Sequence, residues 1–166
     1  MRRILLLTIA MLSIATLASA NHIGIFSDAS GASCYLAPGL NANVTVIEKF
    51  SLGSTGVRFS VTKGANEFVA FSSPYTTVGY LTSDITVYYD ACLTGSNVVG
   101  TAVMNLTGGR LYIHPAQGQT QVLYTDCTFV DHRATWGYAV IGGSDYCAEA
   151  LATESTTWGR VKELYR

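Results

Sequence analysis

From Asp84 to Cys92 the chain reads Asp-Ile-Thr-Val-Tyr-Tyr-Asp-Ala-Cys. Ile85, Val87 and Tyr89 alternate with Thr86 and Tyr88, so an extended chain here has one apolar and one wetter face, and the run closes on a cysteine. A strand with one face to bury needs a second layer to bury it against. The same period of two returns in Val57-Arg58-Phe59-Ser60-Val61, with Val57, Phe59 and Val61 expected inward and Arg58 and Ser60 outward, and again from Val44 to Phe50. Val98 to Leu106 is apolar on both sides apart from Thr101 and Asn105, as a strand in the middle of a packed sheet would be. Val78 and Tyr80 read as a strand at a sheet edge.

Turn signals divide these runs. Asp28 to Ser33, Pro38-Gly39, Ser51 to Gly56, Lys63 to Asn66, Thr94 to Asn97 and Thr107 to Arg110 all carry the Gly, Asn, Asp and Ser of turns, with Lys63 to Asn66 shaped like a hairpin. Val122 to Cys127 and Trp136 to Ile141 supply the late strands. About nine strands with turns every eight to twelve residues predict an all-β, antiparallel β-sandwich. One short helix is expected at the end, capped by Ser155, with Trp158, Val161, Leu164 and Tyr165 near one face.

The two ends place the chain in the cell. Arg2 and Arg3 precede an apolar run from Ile4 to Leu17, and Ala18-Ser19-Ala20 has the small residues of a signal-peptidase site. Residues 1–20 are therefore read as a signal peptide, 21–154 as the sandwich and 155–166 as a C-terminal helix or tail. The apolar run is shorter than the roughly 20 residues that span a bilayer, so the mature chain is expected to be secreted, periplasmic or extracellular, with no membrane insertion. Removing twenty residues from 166 leaves 146, enough for one core. Loss of Arg2 and Arg3 takes the formal charge from −1 to −3, and the remaining cations are scattered until Arg160, Lys162 and Arg166. There is no basic stripe for nucleic acid.

Four cysteines, Cys34, Cys92, Cys127 and Cys147, follow the cleavage site, and an exported chain with an even count is expected to pair them. Three connectivities are possible; Cys127 with Cys147, joining neighbouring late strands, and hence Cys34 with Cys92, is the preferred one. No close Cys pair suits zinc.

Chemistry is sparse. Ser144, in Gly142-Gly-Ser-Asp-Tyr146, lacks a nucleophile elbow. His22, His114 and His132 are far apart, and Asp131-His132, if extended, turns its two side chains to opposite faces. No catalytic, cofactor or metal residue is assigned. Asp28-x-Ser30-Gly31 and Asp126 to Asp131 offer oxygen atoms of the kind calcium takes, but Asp and Ser in such loops more often bond their own backbone. Tyr88, Tyr112 and His114, on faces opposite their strands' aliphatic residues, form a candidate binding surface for a sugar or a protein.

Four segments, Ile23 to Cys34, Val44-Thr-Val-Ile47, Ala91-Cys-Leu-Thr-Gly95 and the tail Ser155-Thr-Thr-Trp-Gly-Arg-Val-Lys-Glu-Leu-Tyr-Arg166, resemble in order and spacing a group of small secreted bacterial proteins known mainly from environmental genomes. The group has no assigned activity, so the resemblance implies a secreted β-sandwich and no reaction. More distantly, the layout of Val44 to Val61 is similar to cohesin-like and immunoglobulin-like sandwiches, an analogy of architecture only. The expected role is binding, adhesion or surface structure without catalysis, toward an unknown protein or glycan, with oligomeric state unassigned. The alternative is an exported hydrolase with a loop-built site. The tail residues Trp158, Val161, Leu164 and Tyr165 are a second candidate, for docking or sorting.

Overall fold

Extended segments that alternate over many residues can satisfy each other's backbone only in a ladder, and the chain builds one long one. The computed structural model describes residues 21–143. In chain order its strands are β1 (His22–Phe26), β2 (Tyr35–Leu36), β3 (Gly39–Thr62), β4 (Glu67–Ser72), β5 (Thr76–Tyr80), β6 (Asp84–Leu106), β7 (Gly109–His114), β8 (Leu123–Thr125), β9 (Asp131–Arg133), β10 (Thr135–Trp136) and β11 (Tyr138–Ile141). The described residues contain no helix, and the terminal helix expected at 155–166 lies outside them.

β3 and β6 pair antiparallel from Gly39↔Leu106 to Phe59↔Ile85. Each runs through a segment whose Gly and Ser residues predict a loop, Ser51 to Gly56 in β3 and Thr94 to Asn97 in β6. Both segments stay extended because they face each other, with register shifts between Glu48 and Gly56 absorbing the mismatch. The expected separate strands thus merge, yet the described residues hold eleven strands and not nine. β2 and β10 have two residues each, too few to show a period. Their pairings also depart from an antiparallel sandwich: β1 runs parallel to β10, and β11 parallel to β2. The turn at Lys63 to Asn66 does not close a hairpin, since β4 pairs with β6. Asn66 explains this: it is buried, its Oδ1 accepts from Thr107 N at 2.7 Å and its Nδ2 donates to Gly108 O at 3.1 Å.

β3 pairs with β6 as far as Phe59 and with β7 from Ser60 onward, so it leaves one layer and enters the other. The result is a curled sheet whose layer of β7, β11 and β2 closes over β1. Ile23, Ile25, Phe59, Val87, Leu111 and Ile113 are buried between the layers. Ser60, expected outward, is buried at the crossing, where its hydroxyl donates to Pro115 O at 3.0 Å. β6 lies between β3 and β4, as the two-sided apolar pattern of Val98 to Leu106 predicts, and β5 is an edge strand paired only to β6.

The disulfide pairing differs from the preferred one. Cys92 bonds to Cys127, with Cα atoms 5.4 Å apart. The bond joins the irregular middle of β6 to the loop just after β8, which β3 brings side by side, so chain order is a poor guide to neighbourhood. Cys34 is not a free thiol, and Cys147 lies outside the described residues.

Candidate functional site

Residues directly opposite in a ladder point to the same face, so the register assembles the outer surface of β5, β6, β3, β8 and β9. One row across it is Thr76, Tyr88, Gly56, Thr125 and Asp131; the next is Val78, Thr86, Arg58, Leu123 and Arg133; Tyr80 and Asp84 begin a third. Tyr80 is 79% exposed, Val78 59% and Tyr88 51%. Gly56 keeps the middle of the face low: a Cβ there would lie 2.6 Å from Val87 O. Arg58 grips Asp84 with two bonds, Nε to Oδ1 at 2.9 Å and Nη2 to Oδ2 at 2.6 Å, and the guanidinium holds the Asp84 carboxyl below its ordinary value. This pair is half-exposed and contributes little to stability; its effect is to fix two charges in place.

Beyond the first row lies a shallow depression of about 360 Å³, walled by Thr55, Tyr88, Asp90, Thr125, Phe129 and the Cys92–Cys127 bond. Phe129 stands at the tip of the loop between β8 and β9, 80% exposed, with a left-handed φ of 63°. A non-glycine residue with that backbone is strained and persists only where its surroundings impose it. Asp126 imposes it. Oδ1 accepts from Thr128 N at 2.8 Å, Thr128 Oγ1 at 2.7 Å and Val130 N at 3.0 Å, while Oδ2 lies 2.8 Å from His132 Nε2. The main chain closes the same turn through Asp126 N to Val130 O at 2.9 Å and Phe129 N to Asp126 O at 3.0 Å. His132 is held in turn by stacking on Tyr124, ring centres 5.3 Å apart.

The Val130 amide, the Thr128 hydroxyl and His132 keep the Asp126 carboxyl far below the usual carboxylate range. A depressed folded value means that its bracing of the loop is complete above the unfolded carboxyl pKa of about 4 and lost only as pH falls through the folded value. Amide exchange at Thr128 and Val130 is therefore expected to stay protected in mild acid, and Asp126→Ala to speed it roughly tenfold or more at neutral pH. Unchanged exchange in that variant would show that the loop holds itself.

The candidate residues from the sequence are divided by the fold. Tyr88 is on this face. Tyr112 and His114 are together, ring centres 5.7 Å apart, but on the layer of β7, where Tyr112 also meets Tyr138 at 5.4 Å and is half-buried. The expected single surface is two. Val78 and Tyr80 are legible in the sequence only as an edge strand and not as part of a surface. Phe129 is not legible at all, because a lone aromatic in a polar loop has no period, although Asp126-x-Thr128 is an Asx-turn signal that marks the loop. Trp158, Val161, Leu164, Tyr165 and Ser144 lie outside the described residues.

The carboxylates considered for calcium are engaged by their own loops, Asp126 as above and Asp28 by Ser30 N at 2.8 Å and by the Ser30 hydroxyl. Among the described residues, histidine rings hydrogen-bond only to Thr135 and Asp126. Asp131 does point away from His132, binding Thr125 Oγ1 at 2.7 Å.

Compared by sequence, the chain matches no family profile and no curated protein. Compared by fold, it matches a cohesin module from a family 33 glycoside hydrolase of Clostridium perfringens, at a TM-score of 0.50 and 8% identity over 74% of this chain and 97% of that one. The fold is similar to that of a cohesin module. The seventh ScaB type I cohesin of Pseudobacteroides cellulosolvens aligns at a TM-score of 0.49 and 8% identity, over 78% of this chain and 97% of that one. A type III cohesin module from the cellulosomal ScaE cell-surface anchoring scaffoldin of Ruminococcus flavefaciens aligns at 0.42 and 8%, over 69% and 77%. This match supports the cohesin-like resemblance expected from Val44 to Val61.

Proposed function

We propose that this chain is a secreted, non-catalytic binding module that docks a protein partner on the outer face of β5, β6, β3, β8 and β9. The observation that carries the reading is a loop braced by Asp126 to display a strained, exposed Phe129 beside a flat face bearing Tyr88, Val78 and Tyr80. Exposed aromatics of this kind anchor interfaces. Five strands at about 4.8 Å spacing make a face roughly 19 Å wide, broad enough for a folded partner, and its fixed Arg58–Asp84 pair with Asp131 and Arg133 would set orientation. The similarity in fold to a cohesin module fits a chain that binds and does not react.

The test is capture of partners from the producing culture on immobilised wild-type protein, in parallel with a glycan array. A protein retained by wild type and lost by Tyr88→Ala and Phe129→Ala supports the reading. Each variant is expected to weaken binding by about tenfold to a thousandfold. Because both side chains are largely exposed, melting temperature should move by no more than about 2 °C. Tyr112→Ala, on the other layer, should bind normally. Binding to glycans alone, or labelling by a serine-directed activity probe, would overturn the proposal.

A further inference from the structure

Glu48 is a buried carboxyl that the docking face does not use. Its side chain is fully buried on the inner side of β3, opposite Ile23 in the pair Ile23↔Glu48. Oε1 accepts from Asn21 Nδ2 at 2.7 Å and Oε2 from the Tyr89 hydroxyl at 3.1 Å. Ser54 and Asn97 also turn side-chain donors toward the same carboxyl; all four of these partners are neutral, and burial pushes the carboxyl up. Among the described residues, the groups around it offer no positive charge. Lys49, next in sequence, is turned to the other face, where Nζ donates to Gly31 O at 2.5 Å and lies 4.2 Å from the centre of the Phe26 ring. His22, on that same side, is lowered by burial to about 4 and is uncharged near neutrality. The hydroxyls of Tyr89 and Tyr124 are pushed up by burial and stay protonated. A carboxylate held on neutral donors in a dry core is costly unless a cation reaches it.

Asn21 can supply one. Hydrolysis of the Ala20–Asn21 bond leaves a carboxylate on Ala20 and an α-ammonium on Asn21. We propose that this new amino terminus becomes the counter-charge of Glu48, so that removal of the leader locks β1 into the sheet. The proposal rests on the export reading given above. The main chain of Asn21 is tied to β10, its carbonyl accepting from Thr135 N at 2.8 Å, and its side chain already reaches Glu48. Covalent geometry keeps a residue's main-chain nitrogen within roughly 5 Å of its own Nδ2, so the ammonium lies within roughly 8 Å of Glu48 Oε1. A freed terminus need turn by only a few Å to reach the range of about 4–6 Å over which an opposite charge favours a carboxylate's ionised form.

An amine paired in this way has a folded pKa above its ordinary value of about 8. Its contribution to stability is complete below the unfolded value and disappears as pH rises through the folded one. The test begins with intact mass and N-terminal sequencing of the exported protein. The chain starting at Asn21 is then compared with the same chain acetylated at its terminus. The free amine should melt roughly 3–8 °C higher at pH 6, the difference should vanish in strong alkali, and Glu48→Gln should abolish it. NMR titration of the ¹³C-dimethylated terminus of the wild-type protein gives a second readout should Glu48→Gln not fold. A terminus at Asn21 with an ordinary amine pKa and no effect of acetylation overturns this proposal alone. A terminus elsewhere overturns it together with the cleavage site on which it depends.

Discussion

A Cys92→Ser, Cys127→Ser double variant is expected to unfold about 4 kcal/mol more easily than the wild type, the stabilisation predicted for a crosslink closing a loop of this length. The bond spans 35 positions. It also joins two irregular pieces of chain, the shifted middle of β6 and the loop after β8, which have little regular pairing of their own to hold them together. Gly53 fits closely over it: a Cβ there would lie 2.7 Å from Cys127 Sγ. Urea denaturation of the variant against oxidised wild type measures the loss, and reduced wild type, in which Cys34 is freed as well, should be no more stable than the variant. Equal stability of variant and oxidised wild type would mean that β3 holds Cys92 and Cys127 together unaided. The loop carrying Phe129 begins one residue before Cys127, so partner binding should weaken in the variant even where the domain stays folded.

Gly79→Ala is expected to unpair β5 from β6 at a cost on the order of 2–4 kcal/mol, because two separate penalties coincide there. Gly79 has a φ of 92°, which a side chain disfavours, and a Cβ would lie 1.9 Å from the backbone oxygen of Asp84. Neither can relax while the register Gly79↔Ile85 and Tyr80↔Asp84 is kept. Val78 and Tyr80 would leave the face with the strand, so proteolysis near Pro74 to Tyr80 and loss of partner capture should appear together. A variant that melts like wild type and still captures the partner would remove β5 from the proposed surface.

The two results bear on different parts of one design. The disulfide secures the depression and the Phe129 loop at one end of the face, and Gly79 lets the edge strand lie flat at the other. Between them Gly56 keeps the surface low beside Tyr88. Glycine at these places serves the face more than the core, which is built from Ile23, Ile25, Phe59, Leu111 and Ile113.

What could be read from residue order is what depends on near neighbours. Alternation placed Ile85, Val87 and Tyr89 inward and Thr86 and Tyr88 outward, marked β5 as an edge and put Val98 to Leu106 in mid-sheet, because side-chain direction in a strand repeats every two residues whatever lies across from it. The all-β class followed from the same periodicity. What could not be read depends on which distant segments meet. Two glycine-rich stretches stay extended only because β3 and β6 face each other there, Cys92 finds Cys127 only because β3 lies between β6 and β8, and Tyr88 parts from Tyr112 only because β3 changes layers at Ser60. Pairing energy belongs to two segments at once, so it leaves no mark in either one alone.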